Sequence, residues 1–501
     1  MTAPVLLVVG TASSVGKSVL VTALCRSFAR AGVRVAPFKA QNMSNNAYVT
    51  PDGLEIGRAQ AEQAAAARVE IEVDMNPVLL KPQGDRTSQL VLNGLPAGTI
   101  HSREFLERRR DLWPHVAAAL GRLREGYDLV VAEGAGSAAE PNLYDTEVVN
   151  MRVAREAGAV TLLVGDIDRG GVFGHFLGTL DLMPPEDRAL VRGLVINRFR
   201  GDASLLAPAI EVVEERGGVP VIGVVPWIDE VGVAEEDAVA LERAEGVRGG
   251  TVETGVLDVA VVRFPRIANF DDIDPLLREQ GVRVRWVEAA EDLGLPHLIV
   301  LPGTKATIAD LRWMRSRGLD RVVLARADAG ARVLGICGGY QMLGATLEDP
   351  DGVEASSGTV EDGLGLLPVH TVFEPEKATR RVRGRTRDAR WGAAGLDVEG
   401  YEIHMGRTTG EADSLLEIGD HLASHLDGAV SEDGRVAGTY LHGLLHNDEW
   451  RASLLDGLGR PQQGSATDSR AGREAAFDRL ADVVEAHLDM ARLREWLGLS
   501  R

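Results

Sequence analysis

The sequence predicts an α/β protein with two parallel-sheet domains and a helical tail. Between residue 4 and about residue 226, short β-rich apolar runs such as VLLVV, VRVAPF and DLVVA alternate with longer segments of helical composition. This alternation is typical of a doubly wound parallel sheet. A second series begins with LDVAVVRF, after an acidic and Gly-rich stretch near residues 227–256. A chain of 501 residues also exceeds what one hydrophobic core usually supports.

We therefore predict an N-terminal domain of residues 1–250, a second domain of residues 251–450 and a C-terminal tail of residues 451–501. The second series continues through VRVRWV, LIVLPG and RVLGIC into GYEIHMG and RVAGTYLH. The tail is polar at first and then carries apolar residues at helical spacing in AAFDRLADVVEAHLDMARLREWL. We expect this tail to pack as a capping element.

Composition argues against several classes of partner. The formal charge of -20 repels nucleic acid and anionic lipid, and we find no arginine-rich arm or lysine block. The opening run MTAPVLLVVG resembles neither a signal peptide nor a membrane span, which predicts a cytoplasmic protein. The two cysteines, Cys25 and Cys337, have no metal-ligand spacing. We expect no nucleic-acid or membrane partner, and a homo-oligomer remains open.

A phosphate-binding loop is predicted at residues 10–18. The segment GTASSVGKS follows a buried type of strand and precedes a segment of helical composition. Backbone N–H groups at such a loop bind phosphates, the lysine adds charge and the serine can bind Mg²⁺. The predicted ligands of the ATP phosphates are Gly10, Thr11, Ser13, Gly16, Lys17 and Ser18. The alternative is an ordinary Gly- and Ser-rich turn, because the loop is one residue longer than the usual motif.

Glu133 is the second candidate for the nucleotide site. It ends the buried run in DLVVAEGAGS, where a parallel strand would present it at its carboxyl end. We predict that Glu133 and Ser18 hold Mg²⁺, and the alternative for Glu133 is a cap on the next turn. Partition-type ATPases also have this fold, but their loops usually carry an early lysine where this chain has Thr11, Ala12 and Ser13.

Cys337 is predicted to be a catalytic nucleophile. In RVLGICGGYQMLG it stands between a β-type run and a helical segment, with small neighbours that permit a strained elbow. The following helix favours the thiolate, and the N–H groups of Gly338 and Gly303 are candidates for an oxyanion hole. Free cysteines are more often inert core residues, and we assign that role to Cys25.

The predicted base for Cys337 is His442, which ends the strand-like run RVAGTYL. His404 and His446 are the other candidates. The spacing of His442 and His446 also occurs in metal sites, but no third ligand is evident.

At this point the chain resembles the glutamine amidotransferases of the cobalamin pathway over nearly its whole length. FKAQNMSNNAYVT, EIGRAQAEQA, MNPVLLKP, VVNM, GDIDRGGVFG and NRFRGD carry the resemblance in the N-terminal part. That part is similar to dethiobiotin-synthetase-like ATPases, whose loops are also one residue longer than the usual motif. PRIANFDDIDPL, LPGTKATIADL, GICGGYQMLG, GYEIHMG and GTYLHG resemble class I glutaminase domains of the cobalamin subtype. The implied fold is a P-loop-type domain followed by a class I glutamine amidotransferase-like domain.

The resemblance implies an ATP-, Mg²⁺- and glutamine-dependent ligase. The implied reaction amidates the b, d, e and g carboxylates of a corrinoid, adenosylcobyrinic acid a,c-diamide. Two alternatives stay open: an a,c-diamide synthase, against which GRAQAEQA and GDIDRGGVFG argue, and an ATPase switch with a vestigial glutaminase domain. One departure concerns the histidine, because Leu444 stands where most class I glutaminases have a carboxylate. We name Glu402 as a candidate for orienting His442 instead.

The corrinoid carries several carboxylates, so basic and polar residues in family-like segments are candidates for binding it. For each of them the alternative is a solvated surface residue. A carboxylate cluster in the family-like segment before VVNM is a candidate for positioning substrate or metal, although Glu147 stands where aspartate is expected. The candidates are Lys39, Gln41, Asn42, Lys81, Arg86, Glu140, Asp145, Glu147, Asp166, Arg169, Arg198 and Arg200.

Overall fold

The computed structural model describes residues 2–228, 255–420, 423–460 and 468–499. The predicted division between residues 250 and 251 lies outside these ranges. The first strands are β1 (Val5–Gly10), β2 (Val35–Phe38), β3 (Gln41–Met43), β4 (Ala47–Val49), β5 (Glu55–Gly57), β6 (Val78–Pro82), β7 (Thr87–Leu92), β8 (Leu95–His101), β9 (Leu129–Glu133), β10 (Val160–Asp166), β11 (Val191–Phe199) and β12 (Val221–Pro226). Their helices are α1 (Lys17–Arg30), α2 (Arg58–Ala66), α3 (Ser102–Gly126), α4 (Met151–Ala157), α5 (Val172–Leu182), α6 (Pro185–Arg188) and α7 (Ala207–Gly217).

The later elements form the second part and the tail. The strands are β13 (Leu257–Val262), β14 (Val282–Val287), β15 (Leu298–Leu301), β16 (Arg332–Ile336), β17 (Thr346–Asp349), β18 (Thr359–Asp362), β19 (Val369–Thr386), β20 (Asp397–Gly410), β21 (Leu416–Gly419), β22 (Ser424–Asp427), β23 (Ala429–Val430) and β24 (Val436–Thr439). The helices are α8 (Asp274–Leu277), α9 (Thr307–Ser316), α10 (Leu319–Asp328), α11 (Gly338–Leu343), α12 (Asp448–Gly457), α13 (Ser469–His487) and α14 (Met490–Trp496).

The N-terminal sheet has six parallel strands in the order β12-β11-β10-β1-β9-β2. Every residue of β1 and β9 is buried, because helices cover both faces of the sheet. The predicted doubly wound fold is confirmed. Since the strands are parallel, β1, β9, β10 and β11 all end at the same edge, where the predicted nucleotide residues follow them.

The second part contains a sheet in the order β14-β13-β15-β16-β24-β23, parallel except for β23. The sequence pattern predicts that GYEIHMG belongs to the same series of strands. The segment instead lies in β20, which pairs with the long strand β19 in a separate sheet. Alternation of apolar residues indicates a strand but carries no information about which sheet receives it. No helix in the described ranges is both long and apolar enough to cross a membrane.

The two parts meet along the short strand β4 and the helix α2. The Ala47 N–H donates to Asn269 Oδ1 at 2.9 Å. The rings of Tyr48 and Tyr401 pack edge to face with centroids 4.6 Å apart. Arg381 donates from Nε to a β4 carbonyl at 2.8 Å. This junction places the Tyr401 segment of the second part directly against the first.

The helical tail packs against the N-terminal sheet. Helix α13 lies along α1, and Phe477 and Leu480 are buried in the same core as the apolar face of α1. The buried Arg26 of α1 pairs with Glu474 (2.7 Å) and Asp478 (2.8 Å) of α13. The tail therefore covers one face of the sheet that carries the phosphate loop.

We predict that Phe477→Ala lowers the free energy of unfolding of the N-terminal part by about 3 kcal/mol, because it leaves a cavity between α13 and α1. The exposed Arg479→Ala on the same helix should stay within about 0.5 kcal/mol of the wild type. Urea unfolding followed by circular dichroism measures both. Equal stability of the two variants would show that the tail is not part of this core.

Candidate active site

The loop between β1 and α1 has the shape of a phosphate cradle. Ser14 and Gly16 have φ values of 55° and 94°, so the chain turns sharply before α1 begins at Lys17. The Lys17 ammonium folds back and donates to the carbonyls of Ala12 at 3.0 Å and Gly136 at 3.1 Å. This arrangement holds a cation beside the loop residues predicted to bind the ATP phosphates.

Two further observations fit a ligand at this loop. The buried Thr11 hydroxyl has no hydrogen-bond partner among the described residues, which is costly unless a ligand satisfies it. Asn197, near the end of β11, donates from Nδ2 to the Val15 carbonyl at 2.8 Å. A Cβ on Gly16 would lie 2.2 Å from that nitrogen, so the loop requires glycine there. Asn197 belongs to NRFRGD, but nothing in that motif indicates this contact.

Glu133 lies at the end of β9 beside the loop. Its carboxylate accepts hydrogen bonds from Ser18 Oγ (2.8 Å), Lys39 Nζ (3.0 Å) and Gln63 Nε2 (2.6 Å). Burial opposes its charge, but Lys39 and the hydrogen bonds outweigh burial and lower the pKa of Glu133. A serine hydroxyl next to an ionised carboxylate supplies the oxygen ligands that Mg²⁺ prefers, so the residues fit the predicted metal.

Four substrate candidates lie at the same sheet edge. Asp166 accepts from Arg198 at 2.8 Å, and Arg169 lies 3.9 Å from the same carboxylate. Arg200 lies 3.3 Å from Asp168, and its guanidinium carbon lies 3.9 Å from the centroid of the Trp227 ring. The structure thus brings these side chains together near the ends of β10 and β11.

The other basic and polar candidates are distributed differently. Gln41 accepts a hydrogen bond from Arg109, and Asn42 donates to Gln60 at 3.1 Å. Arg86 is exposed in the turn between β6 and β7. Lys81 pairs with the buried Glu55 at 2.6 Å and lines the pocket that contains Cys337.

The carboxylate cluster, all of it within the described ranges, does not form a group of three side chains that could hold a metal ion. Glu140 and Asp145 are exposed. Glu147 instead accepts hydrogen bonds from the backbone N–H groups of Val149, Asn150 and Arg152 at the start of α4. Both oxygens of Glu147 therefore cap a helix, and its role in substrate or metal positioning stays a prediction.

Cys337 occupies a strained elbow between β16 and α11, with φ 51° and ψ -109°. A Cβ on Gly339 would lie 1.9 Å from the Leu301 carbonyl oxygen, so the elbow requires glycine at that position. A Cβ on Gly338 would lie 2.7 Å from Thr304 Cγ2, and one on Gly303 would lie 3.1 Å from His442 Cε1. The loop of Gly303 and Thr304 is thus packed against the elbow at Gly338 and against His442, where we predicted the oxyanion hole.

His442 is oriented by Asp272, and the expectation of Glu402 is wrong. His442 Nδ1 donates to Asp272 Oδ2 at 2.7 Å, and the Gly443 N–H donates to Asp272 Oδ1 at 2.6 Å. Glu402 instead pairs with Arg380 and His425. Burial disfavours the imidazolium, but Asp272 and a hydrogen bond with Cys337 outweigh burial and raise the pKa of His442 to about 10. Cysteine, histidine and aspartate in this arrangement can act as a nucleophile, a base and an orienting carboxylate.

The remaining histidines and the second cysteine have other surroundings. His446 Nε2 lies 2.9 Å from the Asp271 carbonyl, and His404 stacks on Tyr440 with centroids 3.7 Å apart. Across the described ranges, no group of three His, Cys, Asp or Glu side chains could hold a metal ion. Burial and the charge of Glu133 raise the pKa of Cys25 far above its usual value, as suits an inert core thiol.

Helix α2 touches both sites. Gln63 donates to the carboxylate of Glu133, and Arg58 lies 3.3 Å from the carboxylate of Asp271, the residue before Asp272. The guanidinium of Arg58 also pairs with Glu62 at 2.9 Å. Neither contact was evident in EIGRAQAEQA, since the helix pattern does not specify distant partners.

Comparison with known proteins first defines the class. Residues 6–240 match the family of CobQ/CobB/MinD/ParA nucleotide binding domains, and residues 258–450 match the family of CobB/CobQ-like glutamine amidotransferase domains. A nucleotide-binding domain joined to such a domain defines an ATP-dependent ligase that takes nitrogen from glutamine.

Full-length relatives then define the family. The chain is 50% identical to cobyric acid synthase of Sorangium cellulosum, with 100% of both chains covered. It is 51% identical to cobyric acid synthase of Chloroflexus aggregans, with 97% of this chain and 96% of the relative covered. The chain belongs to the cobyric acid synthase family, which confirms the resemblance to cobalamin-pathway glutamine amidotransferases.

We predict that Asp272→Asn slows glutamine hydrolysis by at least about 100-fold, because His442 loses the carboxylate that orients it and stabilises its charge. The pKa of His442 should fall from about 10 toward its ordinary value, which ¹⁵N NMR of the imidazole measures. Asp274→Asn is the matched control, since burial and Asp271 already raise the pKa of Asp274 to about 7. Equal losses in both variants would contradict the role of Asp272.

Proposed function

We propose that the enzyme amidates the b, d, e and g carboxylates of adenosylcobyrinic acid a,c-diamide and produces adenosylcobyric acid. Glutamine supplies the nitrogen, and ATP is cleaved at each step. The observation that carries the proposal is the pairing, within one chain, of Cys337, His442 and Asp272 with the phosphate loop and Glu133. Relatives named cobyric acid synthase that match over the full length support the choice of substrate.

The nitrogen-releasing half of the reaction uses the elbow. The Cys337 thiolate attacks the side-chain carbonyl carbon of glutamine, and backbone N–H groups at Gly338 and Gly303 stabilise the oxyanion. The His442 imidazolium, held by Asp272, protonates the leaving nitrogen, so ammonia departs and a thioester remains. His442 then takes a proton from water, which attacks the thioester and releases glutamate and the thiolate.

The carboxylate-activating half uses the phosphate loop. A corrinoid carboxylate oxygen attacks the γ-phosphorus of ATP, and the bond to the bridging oxygen breaks to give an acyl phosphate and ADP. Ammonia then attacks the acyl carbon and expels phosphate, leaving the amide. Lys17 and the loop N–H groups bind the phosphates, and Ser18 with Glu133 would hold Mg²⁺, which supplies neutralising charge.

The net charge of -20 makes the local cations important for an acidic substrate. Arg169, Arg198 and Arg200 lie at the edge of the N-terminal sheet that also carries the loop. We assign to these guanidinium groups the recognition of corrinoid carboxylates, because a planar guanidinium binds a carboxylate through two hydrogen bonds.

The experiment that tests this proposal supplies ATP, Mg²⁺, glutamine and adenosylcobyrinic acid a,c-diamide to the full chain and follows the product by mass spectrometry. Four successive replacements of an acid by an amide are expected. A parallel reaction supplies a corrinoid that lacks the a and c amides, and amidation of that corrinoid alone would favour an a,c-diamide synthase. ATP cleavage without amidation would favour a nucleotide-dependent switch.

We predict that two substitutions separate the half-reactions. Cys337→Ala should abolish amidation with glutamine and leave amidation with ammonium chloride within about 3-fold of the wild type, because ammonia bypasses the thiol. Lys17→Ala should slow amidation with either nitrogen source by at least about 100-fold, because the phosphates lose their cation. Loss of ammonia use in Cys337→Ala would contradict this division of labour.

A further inference from the structure

The pocket around Cys337 contains a lysine that the mechanism above does not use. Lys305 follows Gly303 and Thr304 in the loop packed against the elbow, and it lines the pocket together with Cys337 and His442. Two other lysines line the same pocket, and both pair with the carboxylate of Glu55. Within the described ranges, the Lys305 ammonium has neither an ion-pair partner nor a hydrogen-bond acceptor.

An ammonium group that is partly removed from water and has no partner costs free energy unless a ligand binds it. Burial and the neighbouring charge of Lys81 lower the pKa of Lys305, while Glu354, Glu55 and Cys337 act in the opposite direction. The carboxylate of Glu354 lines the pocket, but it accepts hydrogen bonds from the N–H groups at the start of α9 and does not pair with Lys305. A partly desolvated ammonium of this kind is stabilised when an anion enters the pocket.

We propose that Lys305 binds the α-carboxylate of glutamine. When the side-chain amide of glutamine lies against Cys337, three carbon atoms separate the amide carbon from the α-carboxylate carbon. The α-carboxylate therefore stays in the same pocket. Lys305 is the pocket lysine without a carboxylate partner among the described residues. The inference rests on the proposed use of glutamine at Cys337, and it assigns the residue that distinguishes glutamine from simple amides.

Two alkylating reagents test this inference on the full-length protein. The reagent 6-diazo-5-oxo-L-norleucine carries the amino and carboxylate groups of glutamine, whereas iodoacetamide carries neither. Lys305→Met should slow labelling of Cys337 by the first reagent about 10- to 100-fold, the contribution of a charge-assisted hydrogen bond. Labelling by iodoacetamide should slow much less, because this reagent has no carboxylate and reports only the change in thiolate character that loss of the Lys305 charge causes. Intact-protein mass spectrometry gives both rates.

The control variants separate this role from a structural one. Lys305→Arg keeps the charge and should restore most of the selectivity. If Lys305→Met does not fold, Lys305→Gln replaces it, and the same loss of selectivity is expected. Lys377→Met, which removes a lysine paired with Glu55 in the same pocket, should leave the ratio of the two rates unchanged. Equal slowing with both reagents, or none with 6-diazo-5-oxo-L-norleucine, would overturn the inference. The assay needs neither corrinoid nor ATP, so its outcome is independent of the amidation experiment.

Discussion

The contact between Asp272 and His442 is the interaction on which the proposed glutamine-splitting site depends. Both side chains are buried, so neither charge has water to stabilise it, and each requires the other. The segment that carries Asp272 is fixed from the N-terminal part, through Asn269 to the backbone of Ala47 and through Asp271 to Arg58. Correct positioning of the base therefore depends on contacts across the junction of the two parts.

The sequence was sufficient to predict the alternation of strands and helices and the positions of the phosphate loop and the cysteine elbow. Buried runs such as VLLVV predict parallel strands. The glycines around Cys337 and Lys17 indicate backbone conformations that few other residues adopt. These signals are local, because each is carried by a few consecutive residues. The confirmed fold follows from them, whereas the roles of the site residues remain proposals.

Asp272 could not be predicted because its partner is 170 residues away. FDDID offers three aspartates with similar local surroundings, and only the folded chain shows which one faces His442. Glu402 was the candidate named from the sequence for orienting His442, but its carboxylate is directed to Arg380 and His425. Partner choice between buried charges is a property of tertiary packing, and no short motif encodes it.

Helix α2 connects the two candidate sites. Arg58 and Gln63 are five residues apart, which is about 7.5 Å along a helix axis. Through these two side chains the helix is attached to the segment of Asp272 at one end and to Glu133 further along. A helix of nine residues moves as one rigid body on this scale. The carboxylate of Glu133 and the segment that carries Asp272 are thus attached to the same short helix, so a displacement of that helix would act on both.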